Sequence, residues 1–255
     1  MKAITESSDT FFYQLAYDMG IDRMSEWMKK FGFGVKTGID LAEESAGIMP
    51  TREWKQKRHK KPWVQGDTIP VGIGQGYWIA TPLQLAKATS ILINNGKVNT
   101  PHLMKEVMAN EIIPYQDPLL YEDIDQVPAR YWQLAKQGMY NVIHANSGTA
   151  KKAFAGANYR AAGKTGTAQV FSLNGQDYKA GNLKKELHDH AWFIGYAPYD
   201  NPEIAVATRI AYGYSSDYAA RTTKDVISYY FDLVDEDDLI TDTASELGAS
   251  TAQTD

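Results

Sequence analysis

The chain has 255 residues, of which 44% are hydrophobic and 22% are charged. This composition is ordinary for a globular protein and excludes a collagen-like repeat or disorder along most of the chain. A chain of this length buries a core without needing covalent cross-links. Because cysteine is absent, disulfide bonds and thiolate metal sites are excluded as well.

The charge is unevenly distributed along the chain. The formal net charge is −5, and residues 235–255 carry seven acidic side chains with no lysine or arginine. The rest of the chain therefore has a net charge of +2, too weak a basic field to predict nucleic-acid binding. We predict that residues 1–234 form the folded part and that residues 235–255 form a disordered acidic tail.

No segment has the pattern of a signal peptide or of a membrane helix. Polar residues, rather than an apolar run, follow Met1-Lys2, which does not predict a secretion signal. Residues 68–86 lack charge, but three glycines and two prolines interrupt them. That content disfavours a membrane-spanning helix.

Helical periodicity dominates the N-terminal part. Phe12, Leu15 and Met19 follow the spacing of one helix face, and Gly20 is suited to end that helix. Asp22 is a suitable cap for a second helix with the same spacing.

Residues 34–67 lack such a pattern, and we predict irregular structure there. Within them, six of the ten residues 52–61 are lysine or arginine, which indicates a solvated surface. Thr81-Pro82 then predicts a helix start, with threonine as the N-cap and proline at the first helical position. This helix should stop near Asn95, and short strands should precede another helix at about residues 131–143.

The C-terminal part changes to a strand pattern. We predict strands at residues 159–171, 191–197 and 204–212, followed by a helix at residues 219–233. The last two strands are joined by residues 199–202, which have the composition of a hairpin turn. The order of helices, then an antiparallel three-stranded meander, then a helix predicts an α+β fold rather than a doubly wound one.

Several motifs that suggest other chemistry are weak. The glycine-rich segment Gly72–Gly76 does not match a dinucleotide-binding fingerprint, and we predict a turn packed against the sheet. His188 and His190 lack an obvious third ligand, so we favour a structural role over a metal site. The sequence contains no G-x-S-x-G elbow, which disfavours an α/β-hydrolase.

Two short motifs each occur twice. Lys-Thr-Gly occurs at residues 36–38 and 164–166, and Ser-Ser-Asp occurs at residues 7–9 and 215–217. The second Lys-Thr-Gly lies in a predicted strand, whereas the first lies in a loop. The first Ser-Ser-Asp lies at a predicted helix start, and the second lies after the last predicted strand.

The strand-borne motif has suitable chemistry for binding an anionic peptide. Lys164 supplies a cation for a carboxylate, and Thr165 adds a hydroxyl donor. Gly166 has no side chain, so an extended peptide can lie against the strand. The backbone N–H of Thr167 is placed to stabilise an oxyanion.

Lys164-Thr165-Gly166-Thr167 and Ser7-Ser8-Asp9 resemble the third and second motifs of penicillin-binding proteins and serine β-lactamases. Longer stretches over about residues 2–210 are similar to class B penicillin-binding proteins of the cell-elongation branch. These stretches are MGIDRMSEWMKKFGFG, TGIDL, MPTREWKQKRHKKPW, GDTIPVGIGQGYWIATPLQLA, GMYNVI and SGTA.

The resemblance implies an incomplete penicillin-binding-protein fold and acyl transfer between peptidoglycan stem peptides. It implies that Ser7 passes a proton toward the leaving nitrogen and that Asp9 helps to orient it. By the same resemblance, Lys164 and Thr165, next to Gly166, hold the terminal carboxylate, and the N–H of Thr167 forms half of the oxyanion hole.

The resemblance also implies partners and a location. The substrates would be peptidoglycan stem peptides, with β-lactams as mimics. The protein partners would be a SEDS glycan polymerase and a rod-shape scaffold protein. The implied location is the periplasmic face of the inner membrane. No cofactor, metal or nucleic acid is implied.

The sequence departs from the family pattern at the nucleophile. None of its serines has a lysine three residues later, so the S-x-x-K motif that activates the serine is absent. We expect that motif upstream of Met1, and we expect the chain alone to be inactive and poorly stable. Three interpretations stay open: a transpeptidase fragment, a non-catalytic binding remnant and a β-lactamase-like hydrolase. We also expect Lys164, and not Lys36, to lie beside Ser7.

Overall fold

A computed structural model describes residues 1–108, 112–169 and 185–231. The acidic tail predicted at residues 235–255 lies outside the described residues. The helices are α1 Lys2–Thr5, α2 Asp9–Lys30, α3 Arg52–His59, α4 Gln65–Val71, α5 Pro82–Ile93, α6 Ala129–His144 and α7 Ser216–Tyr230, with a 3-10 turn at Lys185–Leu187. The strands are β1 Glu106–Met108, β2 Ile112–Pro114, β3 Ala162–Ala168, β4 His190–Ala197 and β5 Ile204–Ile210.

The main sheet is an antiparallel meander in the order β3-β4-β5. Lys164 lies opposite Ile194, and Trp192 lies opposite Arg209. The predicted meander and α+β class are therefore confirmed. β3 is shorter than the predicted strand, and residues 170–171 of that prediction lie outside the described residues. β5 ends at Ile210, because Tyr212 adopts a left-handed conformation with a φ of 54°.

Helix α7 covers one face of this sheet. Phe193 and Ile227 are fully buried there and belong to one apolar cluster. A hydroxyl pair, Thr208 Oγ1 and Thr223 Oγ1 at 2.7 Å, ties β5 to α7. A second cluster includes Met139 of α6. Burial of a phenylalanine side chain contributes about 1.5–3 kcal/mol, so the helices and the sheet stabilise each other.

The two N-terminal helices predicted from periodicity form one element, α2, which is broken at the predicted residue. Gly20 has a φ of 71° and a ψ of 160°, which is outside the helical region. Residues with a side chain disfavour a positive φ, so glycine permits this break.

The prediction of irregular structure over residues 34–67 is wrong in part. Helix α3 forms within the basic run, and Thr51 caps it by accepting the N–H of Trp54 at 3.1 Å. The run is also not entirely solvated. Lys55 is only 5% exposed, and its Nζ lies 2.5 Å from Asp67 Oδ2.

The strongest helix-start signal in the sequence is confirmed. Thr81 Oγ1 accepts the N–H of Gln84 at 3.1 Å, and Gln84 Oε1 accepts the N–H of Thr81 at 3.0 Å. This reciprocal capping box satisfies two helix N-terminal donors. Within the described ranges, no helix is long and apolar enough to cross a membrane.

Gly163 of β3 is required by close packing. A Cβ at Gly163 would lie 2.4 Å from Phe193 Cζ and 2.6 Å from the Ile194 carbonyl oxygen. Part of that contact is backbone, so relaxation of one side chain would not relieve it. The small residue therefore allows β3 to lie against the buried ring of Phe193.

Gly163→Ala should lower the free energy of unfolding by about 1–3 kcal/mol, because the added methyl overpacks the sheet. The matched control is Gly66→Ala in α4, where an added Cβ meets nothing within 4 Å. That change should be neutral or stabilise by about 0.4–1 kcal/mol. Urea unfolding measures the free energy of unfolding of both variants. If both changes alter it by the same amount, the packing argument is contradicted.

Candidate active site

Ser7 lies in the sharp turn between α1 and α2. Its φ of 54° is left-handed, and the following residue, Ser8, is the N-cap of α2. The N–H of Ser8 donates to the Ala3 carbonyl oxygen at 2.9 Å, which closes the turn. The Ser7 side chain is thereby left exposed, directly before the first turn of a long helix.

Lys164 reaches Ser7 from the sheet. Its Nζ donates to Ser7 Oγ at 2.7 Å and to the Thr165 carbonyl oxygen at 2.8 Å. The predicted approach of Ser7 and Lys164 is therefore confirmed. Burial lowers the pKa of Lys164 to about 8, and the negative charge of Asp9 opposes this shift.

Thr165 has a hydroxyl partner that the sequence reasoning missed. Its Oγ1 lies 2.8 Å from Thr149 Oγ1, in the loop that follows α6. The loop folds back on the helix, since the N–H of Ala150 donates to the Val142 carbonyl oxygen at 2.9 Å. A Cβ at Gly148 would lie 2.4 Å from that same oxygen. The only signal for Thr149 in the sequence was its place in the stretch SGTA.

Thr167 has a contact from the glycine-rich turn. Gln75 Nε2 donates to the Thr167 carbonyl oxygen at 3.5 Å. Gly74 and Gly76 flank Gln75 with φ values of 77° and 68°, a conformation that glycine favours. The turn therefore lies against the sheet, as predicted. Gln75 was not among the candidate site residues.

Gly166 lies on β3 opposite Trp192. A Cβ at Gly166 would lie 3.2 Å from Trp192 Cβ, closer than ordinary van der Waals contact. Because Gly166 has no side chain, no side-chain atom projects from β3 at this position. Asp9, the first residue of α2, contributes to the site through its charge on Lys164.

The first Lys-Thr-Gly copy builds a structural loop. The N–H of Thr37 donates to Glu44 Oε1 at 2.5 Å, and its carbonyl oxygen accepts from Lys87 Nζ at 2.9 Å. Thr37 is fully buried, and burial lowers the pKa of Lys87 to about 8. The Lys36 carbonyl oxygen belongs to the same loop and accepts from the Tyr121 hydroxyl.

The second Ser-Ser-Asp copy forms a helix cap. Ser215 is the N-cap of α7, and its Oγ accepts the N–H of Asp217 at 3.3 Å. The histidine pair also has structural contacts, since His190 Nδ1 accepts the N–H of Tyr212 at 3.0 Å. No group of three or more potential metal ligands occurs among the residues for which placement is described.

Comparison with known proteins identifies the family. Residues 1–228 match the penicillin-binding protein transpeptidase domain. The chain belongs to this family. The predicted resemblance to penicillin-binding proteins is thus confirmed.

Individual relatives are similar over most of the chain. It is 64% identical over 231 residues to the peptidoglycan D,D-transpeptidase MrdA of Haemophilus influenzae, covering 90% of this chain and 36% of that protein. The chain thus spans about a third of the length of this curated relative.

Solved structures share the fold. Pseudomonas aeruginosa PBP2 in complex with WCK 5153 is 41% identical with a TM-score of 0.77, covering 92% of this chain and 49% of that one. Helicobacter pylori PBP2 in complex with MreC is 30% identical with a TM-score of 0.77, covering 91% and 40%. The chain therefore shares the fold of these two PBP2 structures.

The lowered pKa of Lys164 makes the free energy of unfolding depend on pH. The pKa is about 8 when folded against an ordinary value of 10.5. Between these values the unfolded chain binds more protons, so stability rises with pH. Lys164→Met should be more stable than the unchanged chain at pH 7, by about 1–3 kcal/mol, and this advantage should vanish above pH 10.5.

Urea unfolding at a series of pH values measures the effect. Lys97→Met, which removes an exposed lysine, is the control and should not show the stability gain at pH 7 that relief of burial gives. A stability gain in Lys164→Met that stays constant with pH would contradict the assigned cause.

Proposed function

We propose that this chain supplies the substrate-holding and proton-transferring side of a peptidoglycan D,D-transpeptidase active site. The observation that carries the proposal is the 2.7 Å hydrogen bond from Lys164 to Ser7, which joins two motifs 157 residues apart. Membership of the transpeptidase family, and the similarity to a protein named as a peptidoglycan D,D-transpeptidase, support it.

The reaction is acyl transfer. A serine of an S-x-x-K motif, supplied from outside these 255 residues, attacks the carbonyl carbon between two D-alanines. The carbon–nitrogen bond breaks, the leaving D-alanine nitrogen takes a proton through Ser7, and an acyl-enzyme forms. The amine of a neighbouring stem peptide then attacks the acyl carbon. The ester bond to the serine breaks as the new amide forms, and the proton lost by the amine restores the serine hydroxyl.

Each motif residue has a role in this reaction. The Lys164 ammonium and the Thr165 hydroxyl hold the terminal carboxylate of the donor peptide, and Thr149 fixes the Thr165 hydroxyl through its 2.8 Å contact. The N–H of Thr167 stabilises the developing oxyanion. Asp9 favours the charged form of Lys164. With a pKa of about 8, Lys164 is mainly cationic at pH 7, the form that a carboxylate requires.

The proposed ligands are peptidoglycan stem peptides and β-lactams that imitate them. A scaffold partner of the MreC kind is supported by the similar Helicobacter pylori complex. A SEDS glycan polymerase partner and a periplasmic location are further parts of this proposal.

A fluorescent penicillin added to the purified chain tests whether the nucleophilic serine is absent from these 255 residues. We expect no covalent band, because none of the serines has the activating lysine. Covalent labelling of the chain in a denaturing gel would contradict the proposed missing nucleophile. Labelling followed by rapid release of the product would instead favour a β-lactamase-like hydrolase.

Penicillin acylation of a full-length protein that carries S-x-x-K distinguishes a transpeptidase from a non-catalytic binding module. Stoichiometric acylation by penicillin supports the first, and its absence supports the second.

Lys164→Ala in that full-length protein should slow acylation by an amount equivalent to about 2–4 kcal/mol, because a charge-assisted contact is lost from a shielded site. The control is Lys36→Ala, in the other Lys-Thr-Gly copy, where the lysine side chain is exposed. It should leave acylation unchanged. Equal effects of the two changes, measured as penicillin acylation rates, would contradict the assignment of Lys164.

A further inference from the structure

A surface cavity lies beside α3, away from the candidate active site. Its volume is about 600 Å³. Arg52, Lys57, Lys60, Pro62 and Trp63 are among the residues that line it. These residues lie in the stretch MPTREWKQKRHKKPW, outside the Lys-Thr-Gly and Ser-Ser-Asp motifs that form the candidate active site.

The cavity is positively charged. Its lining includes three cations and one carboxylate, that of Glu53. Lys57 and Lys60 are exposed and form no ion pair with any residue placed in the described ranges. Arg52 is held in place, since its Nε donates to both carboxylate oxygens of Asp22 at 2.9 and 2.8 Å. Lys57 and Lys60 therefore line the same cavity as Arg52, whose charge is balanced by Asp22.

The part of the lining around Trp63 is held in place by hydrogen bonds and an ion pair within the chain. Lys60 ends α3 with a left-handed φ of 56°, which turns the chain toward Trp63. The Trp63 indole Nε1 donates to Thr68 Oγ1 at 2.9 Å, so its ring is fixed. Beneath it, the buried pair of Lys55 and Asp67 at 2.5 Å joins α3 to α4. A preformed wall reduces the entropy lost when a ligand binds.

Helix α4 and the glycine-rich turn connect the cavity lining with the candidate active site along the chain. Helix α4 begins at Gln65, two residues after Trp63, and its seven residues span about 10 Å. The glycine-rich turn follows α4, and its Gln75 contacts Thr167.

We propose that this cavity binds the carboxylates of an acidic stem peptide, on a part of the peptidoglycan polymer other than the reacting end. The proposal rests on the proposed function, which supplies a substrate of that chemistry. The cations of Lys57 and Lys60 form charge-assisted hydrogen bonds with the carboxylates. The apolar surface of Pro62 and the small exposed part of Trp63, which is 8% exposed, contact the aliphatic parts of the peptide.

A small acidic ligand fits the cavity better than a polyanion does. The body of the chain has a net charge of only +2, and Glu53 lies within the lining. Nucleic-acid binding depends on many phosphate contacts, whereas one or two carboxylates match the two lysines, Lys57 and Lys60, that line this cavity.

The test uses a stem tripeptide with free carboxylates that lacks the terminal D-Ala-D-Ala. Titration calorimetry with the full chain measures its Kd. The double variant Lys57→Gln, Lys60→Gln should raise the Kd at least about tenfold, through loss of two charge-assisted contacts. The matched control is Lys29→Gln, Lys97→Gln, which removes the same charge at exposed positions elsewhere. It should leave the Kd unchanged.

Each other result overturns the proposal. An equal loss in both double variants means attraction by net charge alone. A loss in Lys164→Ala but not in the cavity variant means that the tripeptide occupies the candidate active site. If the unchanged chain does not bind the tripeptide, the proposed site does not exist. Penicillin acylation of the full-length protein does not involve the cavity, so failure of the proposed function would be recognised separately.

Discussion

The position of one lysine ammonium constrains the rest of the site. Lys164 lies where burial lowers its pKa to about 8, so its charged form needs acceptors close by. Ser7 Oγ and the Thr165 carbonyl oxygen are those acceptors. The left-handed turn at Ser7 and the beginning of α2 are thereby tied to the centre of β3. A displacement of either element would leave a partly desolvated charge with fewer partners, at a cost of about 1–3 kcal/mol for a lost acceptor.

The support for this lysine comes from segments far apart in the chain. Gly163 lets β3 lie against the buried Phe193, and α7 packs behind that ring. Thr149 and Gln75 then contact β3 residues on either side of Gly166. Small residues in β3 weaken it as an isolated strand, but they let a helix start and two loops approach it. The strand is stabilised by its neighbours rather than by its own side chains.

Local signals predicted much of the fold, and tertiary contacts account for what was missed. The helix start at Thr81-Pro82 depends on adjacent residues, so sequence alone predicted it, whereas the reciprocal hydrogen bonds with Gln84 were found in the structure. Lys55 was assigned to a solvated run, because its partner Asp67 is 12 residues away and charge patterns do not reveal burial. The two Lys-Thr-Gly copies were assigned different roles because only the second lies in a predicted strand. The contact of Gln75 with Thr167 spans 92 residues, and no local pattern encodes it.

The break in α2 affects the electric field at the site. The aligned peptide dipoles of a helix place a partial positive charge at its N-terminus, which here lies next to Ser7. Because Gly20 leaves the helical conformation, only the peptides before it are aligned with that end. This partial charge has the same sign as the Lys164 ammonium, and both attract an anion into the space between them. Asp9, on the first turn, partly neutralises the two positive charges and reduces the repulsion between them.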